Sequence, residues 1–373
     1  NSTIMQVALF CQSILSDYNY TVAHFLRGLT FELQRTHQIT VFEKEQNDSI
    51  LAAVKDFGKT AITEFHRYYP TLNAELYIPT VKSISDKIQG KDLVIVHSAT
   101  DFITISILAE LKRKYEFNLV LMDDSFQIVD HPELAQECNL ALYDLILVNS
   151  QYLLERYNNI SNLKQVSKLT QAVDLNVFHP RSSKEIQKVV ALNLDWIGDE
   201  QMDDIEEFFI KPVKDLRIGA TVYGTKYPRH IKKHFADSGI EFKGWVPSFK
   251  LPELLSKYIT LVHIPDHSSS EIRAGVTSMK LLEGIACGTP VISKSWNNKE
   301  QILTPARDYL QASDSYEMKH YILEMMNSTL KEVIADHGVR TITSKHTCKL
   351  RALELNTILY QLTQSTGRVL ANK

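Results

Sequence analysis

Short runs of Val, Ile and Leu, each separated from the next by a helix-length segment, recur along both halves of the chain. In the first half these are MQVALFC, QITVF, DLVIVHS, NLVLMDD and LILVNS, with helical spacing over Val22 to Leu33. DFITISILAELKRKYEF lies between DLVIVHS and NLVLMDD, opening on a capping Asp and ending in Lys and Arg, as a helix does. Strands joined by helical crossovers pair in parallel. A parallel sheet is covered on both faces, so its strands read as apolar runs without polar alternation. KVVALNLDWIG, GATVYG, GIEFKGWVP, YITLVHIP and CGTPVISKS repeat the rhythm in the second half, and after Ser313 the pattern turns helical almost to the end. The fold class is α/β: two parallel-sheet domains facing a cleft, with a helical C-terminal tail.

QAVDLNVFHP, residues 171–180, breaks the rhythm and ends at Pro180 ahead of the polar stretch RSSKEIQK. The boundary is placed there: a first domain over 1–175, a second over 181–325, and a helical segment over 326–373 expected to pack back on the first. A chain of 373 residues is long for one core. Its net charge of −3 provides no strong field to draw nucleic acid or an anionic membrane, and no run reaches the roughly 18 apolar residues of a bilayer span. NSTIMQVALFCQS lacks a basic segment ahead of a long apolar core, so it does not read as a signal peptide. Cys11, Cys138, Cys287 and Cys348 are far apart, without metal-ligand spacing, and three lie in apolar surroundings. A reducing compartment, and so a cytoplasmic location, is expected.

Open parallel sheets bind ligands outside the carboxyl ends of their strands. That rule selects the loops Cys11–Tyr18, His97–Asp101, Asp123–Phe126, Asp195–Glu200, Tyr223–Pro228, Trp245–Ser248 and Pro265–Ser278. The last leads into AGVTSMKLLEGIACGTPVISKS, where Gly275 permits a sharp turn and Thr277 or Ser278 can cap a helix. Amides at a helix start, with the dipole behind them, attract phosphate, and Arg273 and Lys280 flank the spot. The same residues also make an ordinary capped helix. Glu283 falls at the margin of the stripe Ser278, Leu281, Leu282 and Ile285. It either forms a weak surface pair with Lys280 or faces the cleft, where a carboxylate can accept from two hydroxyls at once.

GVTSMKLLEGIACGTPVIS resembles the nucleotide-sugar motif of GT-B glycosyltransferases, and QAVDLNVFHP resembles the interdomain linker of the family 4 type. WIGDE, YGTKYP, GWVPS and GVTSMKLLE, in that order over roughly residues 190–312, look closest to the spore-maturation-protein type. The resemblance implies a GT-B fold of two Rossmann-like domains. It also implies a hexosyltransferase that moves a sugar from a UDP- or GDP-linked donor to an acceptor hydroxyl, retaining configuration and needing no metal or other cofactor. Glu283 is then matched to the ribose hydroxyls, and the amides around Gly275, Val276, Thr277 and Ser278 to the diphosphate. The YGTKYP loop, with Tyr223, Gly224 and Lys226, lies towards the phosphates, and Trp245 and Val246 towards the base. Lys226 reads equally as a surface lysine, and Trp245 as a core residue. Family 4 enzymes usually carry an earlier Glu eight residues before the later one; here that position is Gly275, which leaves the donor sugar open. Their Arg and Lys pair after the linker is not recognisable either, leaving Arg273, Lys226 and Lys280 as candidates for that work.

The catalytic candidates are His97, at the end of DLVIVHS, and the rivals Asp123 and Asp124. His97 suits a base or a sugar contact, or a structural imidazole bonded to a loop carbonyl. The adjacent aspartates lack the Asp-x-Asp spacing of a metal pair, and an Asp at a strand end often caps the next helix. Two further readings stand beside transfer: a sugar-nucleotide epimerase, and a silent nucleotide-sugar-binding module. A dehydrogenase is disfavoured, since no strand is followed by Gly-x-Gly-x-x-Gly. The acceptor is left open among glycan, protein, lipid, small molecule and modified nucleic acid.

Overall fold

The structure is a computed structural model that describes residues 4–182, 185–265 and 275–365. The first sheet contains β1 (Gln6–Phe10), β2 (Gln38–Lys44), β3 (Ala74–Tyr77), β4 (Leu93–His97), β5 (Asn118–Asp123), β6 (Leu145–Val148) and β7 (Val166–Lys168). Its order is β3-β2-β1-β4-β5-β6-β7, parallel throughout. The second contains β8 (Lys188–Asn193), β9 (Ala220–Tyr223), β10 (Ile240–Gly244), β11 (Tyr258–His263), β12 (Val291–Lys294) and β13 (Leu310–Ala312). It runs β10-β9-β8-β11-β12-β13, again parallel. Strand order reverses between β1 and β4 in one sheet and between β8 and β11 in the other, the places where such folds open a crevice.

The apolar runs all became strands. Three strands, β3, β7 and β13, are additions to the sequence reading, and each is a sheet edge of three or four residues. Edge strands are kept short and polar to discourage pairing with other chains, and AELY, VSK and LQA carry little apolar signal.

β1 shows how the sheet is covered on both faces. Val7 and Leu9 enter one apolar cluster, while Ala8 and Phe10 enter another, as a period of two requires. The cluster holding Val7 continues through α1 (Ala23–Leu33) to Leu281, Leu282 and Ile285 of α2 (Met279–Ala286) in the second domain. One continuous core thus joins the domains.

The C-terminal helices are α3 (Ser315–Asn327), α4 (Leu330–Lys345) and α5 (Cys348–Ser365). α5 returns to α1, bringing Ala352, Leu355, Leu359 and Leu362 into that core. At this second crossing the chain pairs with the linker. Val173 N–H donates to His346 O and Cys348 N–H to Val173 O, both at 2.9 Å. All four cysteines are buried and unpaired.

Gly28 sits where α1, linker and α5 converge. A Cβ there would lie 2.5 Å from Cys348 Sγ and 2.7 Å from Asp174 Cβ. Alanine would improve helix propensity by about 1 kcal/mol, but overpacking a tight core costs about 1–3 kcal/mol. Gly28→Ala is therefore expected to lower the thermal unfolding midpoint; a raised midpoint would show that the three segments do not close around this position.

Candidate functional site

The carboxyl ends of the two sheets face each other across a cavity of about 120 Å³. The first domain contributes Thr21, Asp124, Phe126, Asn149 and Gln171; the second contributes Pro265, the turn Gly275–Ser278, Met279, Trp296 and Asn297. These residues follow β1, β5, β6, β7, β11 and β12, as the strand-end rule requires. Gly275 has φ +64°, and a Cβ on it would lie 2.2 Å from Asn297 O, so this turn depends on glycine. Ser278 caps α2 by accepting from Lys280 N–H at 3.2 Å. Thr277 is buried.

Asp124 is the catalytic candidate that lines this cavity. His97 and Asp123 border a smaller void beside it, shared with Asp124, Asn149 and Gln171. His97 Nδ1 accepts from Ala99 N–H at 3.2 Å. The proton is therefore on Nε2, which faces Asp124 Oδ1 at 3.4 Å. His97 thus points at a carboxylate and not at a loop carbonyl. Burial pushes the Asp124 carboxyl up, but the neighbouring His97 outweighs it and holds the group below the usual carboxylate range. Gln171 Nε2 donates to its other oxygen at 3.2 Å. Asp123 is engaged internally: it accepts from Tyr157 Oη, from Ser125 N–H at 3.0 Å and from Ser125 Oγ at 2.8 Å. Burial raises its carboxyl.

All eight residues of α2 are buried, so the helix has no solvent face, and of the two readings of Glu283 the surface pair with Lys280 does not form. Lys280 instead reaches Asp195 Oδ2 at 2.6 Å. Burial acts to raise Asp195, yet Lys280 keeps it below the usual range. Glu283 Oε1 accepts from His24 Nδ1–H at 2.8 Å, and His24 Nε2 accepts from Asp174 N–H at 2.9 Å. These partners define a neutral imidazole that ties α1, α2 and the linker together, stacked on Phe178 at 3.9 Å.

The loop after β1 lies between the domains. Asp17 Oδ2 accepts from Ser248 N–H and from Arg27 Nη1, each at 2.9 Å. Thr225 Oγ1 donates to Asn19 Oδ1 at 2.6 Å. Trp245 is half-buried against Tyr18 and Phe57, with ring centroids 5.2 and 5.9 Å away. With Tyr223 and Val246 it lines a second cavity of about 460 Å³. Tyr223 Oη bonds Tyr258 Oη at 2.8 Å. At Gly224 a Cβ would fall 1.9 Å from Leu194 O. Lys226 is exposed and lines neither cavity. Arg273 lies outside the described residues.

The geometry therefore brings Asp124 and Gly275–Ser278 together and places Tyr223, Trp245 and Val246 at a separate cavity. The sequence reading did not single out Thr21, His24, Asn149, Gln171, Trp296 or Asn297. Asn149 and Gln171 had a usable signal, since each follows a strand end.

His263 ends β11 with Nδ1 2.8 Å from Ser293 Oγ. Burial first, and then Lys280, pushes its pKa down to about 3. The unfolded imidazole takes up a proton near pH 6.5 while the folded one stays neutral, so stability falls as pH drops below 6.5. From pH 7 to 5 the loss is roughly 2 kcal/mol for this group. His346, held down to about 4 mainly by burial, acts in the same direction. Urea unfolding at the two pH values is expected to show the loss, and His263→Asn to make it smaller; an unchanged difference in the variant would contradict a buried neutral His263.

Residues 201–357 match a family described as glycosyl transferase-like. Curated protein sequences give no match. Among solved structures, sucrose-phosphate synthase from Thermosynechococcus elongatus is similar at 14% identity and TM-score 0.65, over 96% of this chain and 100% of that one. HepE of Anabaena, in complex with UDP-glucose, is similar at 11% identity and TM-score 0.68, over 95% and 100%. An alpha-glucosyltransferase in complex with UDP and a 13-mer DNA containing an HMU base is similar at 14% identity and TM-score 0.68, over 96% and 100%. Among the described residues, no helix is long and apolar enough to cross a membrane. The chain has the GT-B fold, and the glycosyl transferase-like match is confined to residues 201–357.

Proposed function

We propose that this chain is a glycosyltransferase that moves a glycosyl group from a UDP-sugar to an acceptor hydroxyl. The carrying observation is the interdomain cavity, with the turn before α2 on one wall and Asp124, backed by His97, on the other. Uridine is preferred over guanosine because HepE and the alpha-glucosyltransferase both carry UDP or a UDP-sugar in their structures.

In the reaction the bond from the anomeric carbon to the diphosphate oxygen breaks, and negative charge collects on the departing phosphate. In this reading the amides over Val276–Ser278 and at the start of α2 meet that charge, as fixed dipoles do without reorganising. The acceptor oxygen bonds to the anomeric carbon and loses its proton. In a retaining course that proton passes to the leaving diphosphate, which needs neither a separate base nor a metal. Asp124, kept ionised beside His97, orients a sugar or acceptor hydroxyl. Glu283 offers ribose the carboxylate oxygen that His24 leaves.

Calorimetric titration should show UDP binding at least about tenfold more tightly than GDP, a difference of about 1.4 kcal/mol. UDP-sugar turnover should release UDP. Asp124→Asn should lower kcat about a hundredfold while changing UDP affinity by less than about twofold. A changed sugar with UDP still attached would mean epimerisation, and failure of any nucleotide to bind would overturn the reading.

A further inference from the structure

The chain as a whole is slightly acidic, with a net charge of −3, yet the helix Arg229–Asp237 concentrates positive charge. In RHIKKHFAD, Ile231 and Phe235 turn inward, while Arg229, Lys232 and Lys233 are exposed. Residues three and four apart share a helix face, so these three cations form one group. Lys226, just ahead of the helix, is also exposed and has a left-handed backbone, φ +64°, which side chains other than glycine seldom adopt. Among the described residues none of the four is in an ion pair, and the acids beside the helix, Glu206 and Glu241, are taken by His234, Lys188 and Lys243. The arrangement works against the helix itself. Its first turn holds no acid and begins with Arg229 and His230, where the dipole disfavours positive charge. A local rule broken without a structural return is the mark of a functional feature.

The cationic face leads round the edge of the second sheet. Lys232 Nζ lies 5.0 Å from the Phe242 ring on β10, the edge strand. The next residue, Lys243, lines the cavity of about 460 Å³ that also holds Trp245, Phe57 and Lys250. Lys243 and Lys250 are shared with Glu241 and Glu64, so the helix supplies most of the charge and the cavity supplies aromatic surface. Trp245 is half-buried there, edge-on to Tyr18 and Phe57.

We propose that the Arg229–Asp237 face and the Trp245 cavity together form a track for a single-stranded nucleic acid, outside the cavity between Asp124 and α2. Charge complementarity places phosphates on Lys226, Arg229, Lys232 and Lys233, and an unpaired base stacks on Trp245. Cations that follow a backbone beside an aromatic platform bind strands in this way. A bilayer fits less well, because the outer face of this helix carries no large apolar side chain to enter it and would leave the aromatic cavity unused.

The test measures fluorescence anisotropy of a labelled DNA single strand about 12 nucleotides long with the full chain. Between about 50 and 200 mM salt, log K should fall against log salt with a slope of about −3, as four phosphate contacts on a single strand give. Arg229→Gln with Lys233→Gln should bring the slope to about half and weaken binding at least about tenfold. Its unfolding midpoint should stay level or rise, because a cation leaves the first turn. Trp245→Ala should weaken binding about tenfold with the slope unchanged, and Trp245→Phe should restore most of the loss. Excess UDP should change strand affinity by less than about twofold, the result for uncoupled sites. No binding at the lowest salt, an unchanged slope in the double variant, or an affinity indifferent to Trp245→Ala would each overturn the track. Displacement of the strand by UDP would overturn it too, by making the cavity the donor's own. Tighter binding to phosphatidylglycerol vesicles than to the strand would replace nucleic acid by a membrane. None of these outcomes depends on whether UDP-sugars turn over, so the track and the transferase reading stand or fall separately.

Discussion

His24 is a neutral imidazole with no exposure to solvent, held between the carboxylate of Glu283 and the backbone amide of Asp174. One ring therefore fixes the first helix of one domain, the last helix before the strand β12 of the other, and the linker between them. A hydrogen bond to a charged group contributes about 1.5–3 kcal/mol, but burying a carboxylate has its own cost. The net gain in stability is accordingly modest. The larger effect is geometric, because removing any partner leaves a buried polar group exposed to nothing. Glu300 adds a second tie across the cleft, accepting from Gln151 N–H at 2.6 Å and from Lys168 Nζ at 3.3 Å. The distance between the cavity walls follows from these contacts.

The turn before α2 and the aspartate after β5 belong to different domains and face each other because the domains are so held. The β1 loop contributes in the same way through Asp17, Asn19 and Tyr18. Arg27 stabilises that loop from below, with its guanidinium 5.0 Å from the Phe65 ring and its Nε donating to Ile14 O at 2.6 Å. The cleft is thus a product of α1 as much as of the sheet ends, and α1 is buried along all but one of its residues.

Central strands could be read from the sequence because burial on two faces writes a continuous apolar run. Three of the four edge strands, β3, β7 and β13, could not, because segments as short as AELY, VSK and LQA write no apolar run, whereas the edge β10 was read from GIEFKGWVP. The turn Gly275–Ser278 was legible from glycine and capping chemistry within a few residues. Glu283 was misjudged locally: a helical wheel puts it at a stripe margin, but the partner that buries it, His24, lies 259 positions away. Lys280 likewise is adjacent to Glu283 on the wheel yet is claimed by Asp195, 85 positions away. Periodicity describes one element at a time, whereas these contacts depend on how two domains meet.

The pairing of Val173 with the segment around Thr347 has a bearing on how the chain is made. α1 is synthesised well before α5, which covers part of it. Domains tend to fold as units during synthesis, N-terminal first, but this first domain cannot close until the second has been made and α5 has emerged. Leu29 and its neighbours on α1 wait for Leu355 and Leu359. The nascent protein therefore carries an uncovered apolar helix until α5 is made, and the step that covers it also sets the linker in place.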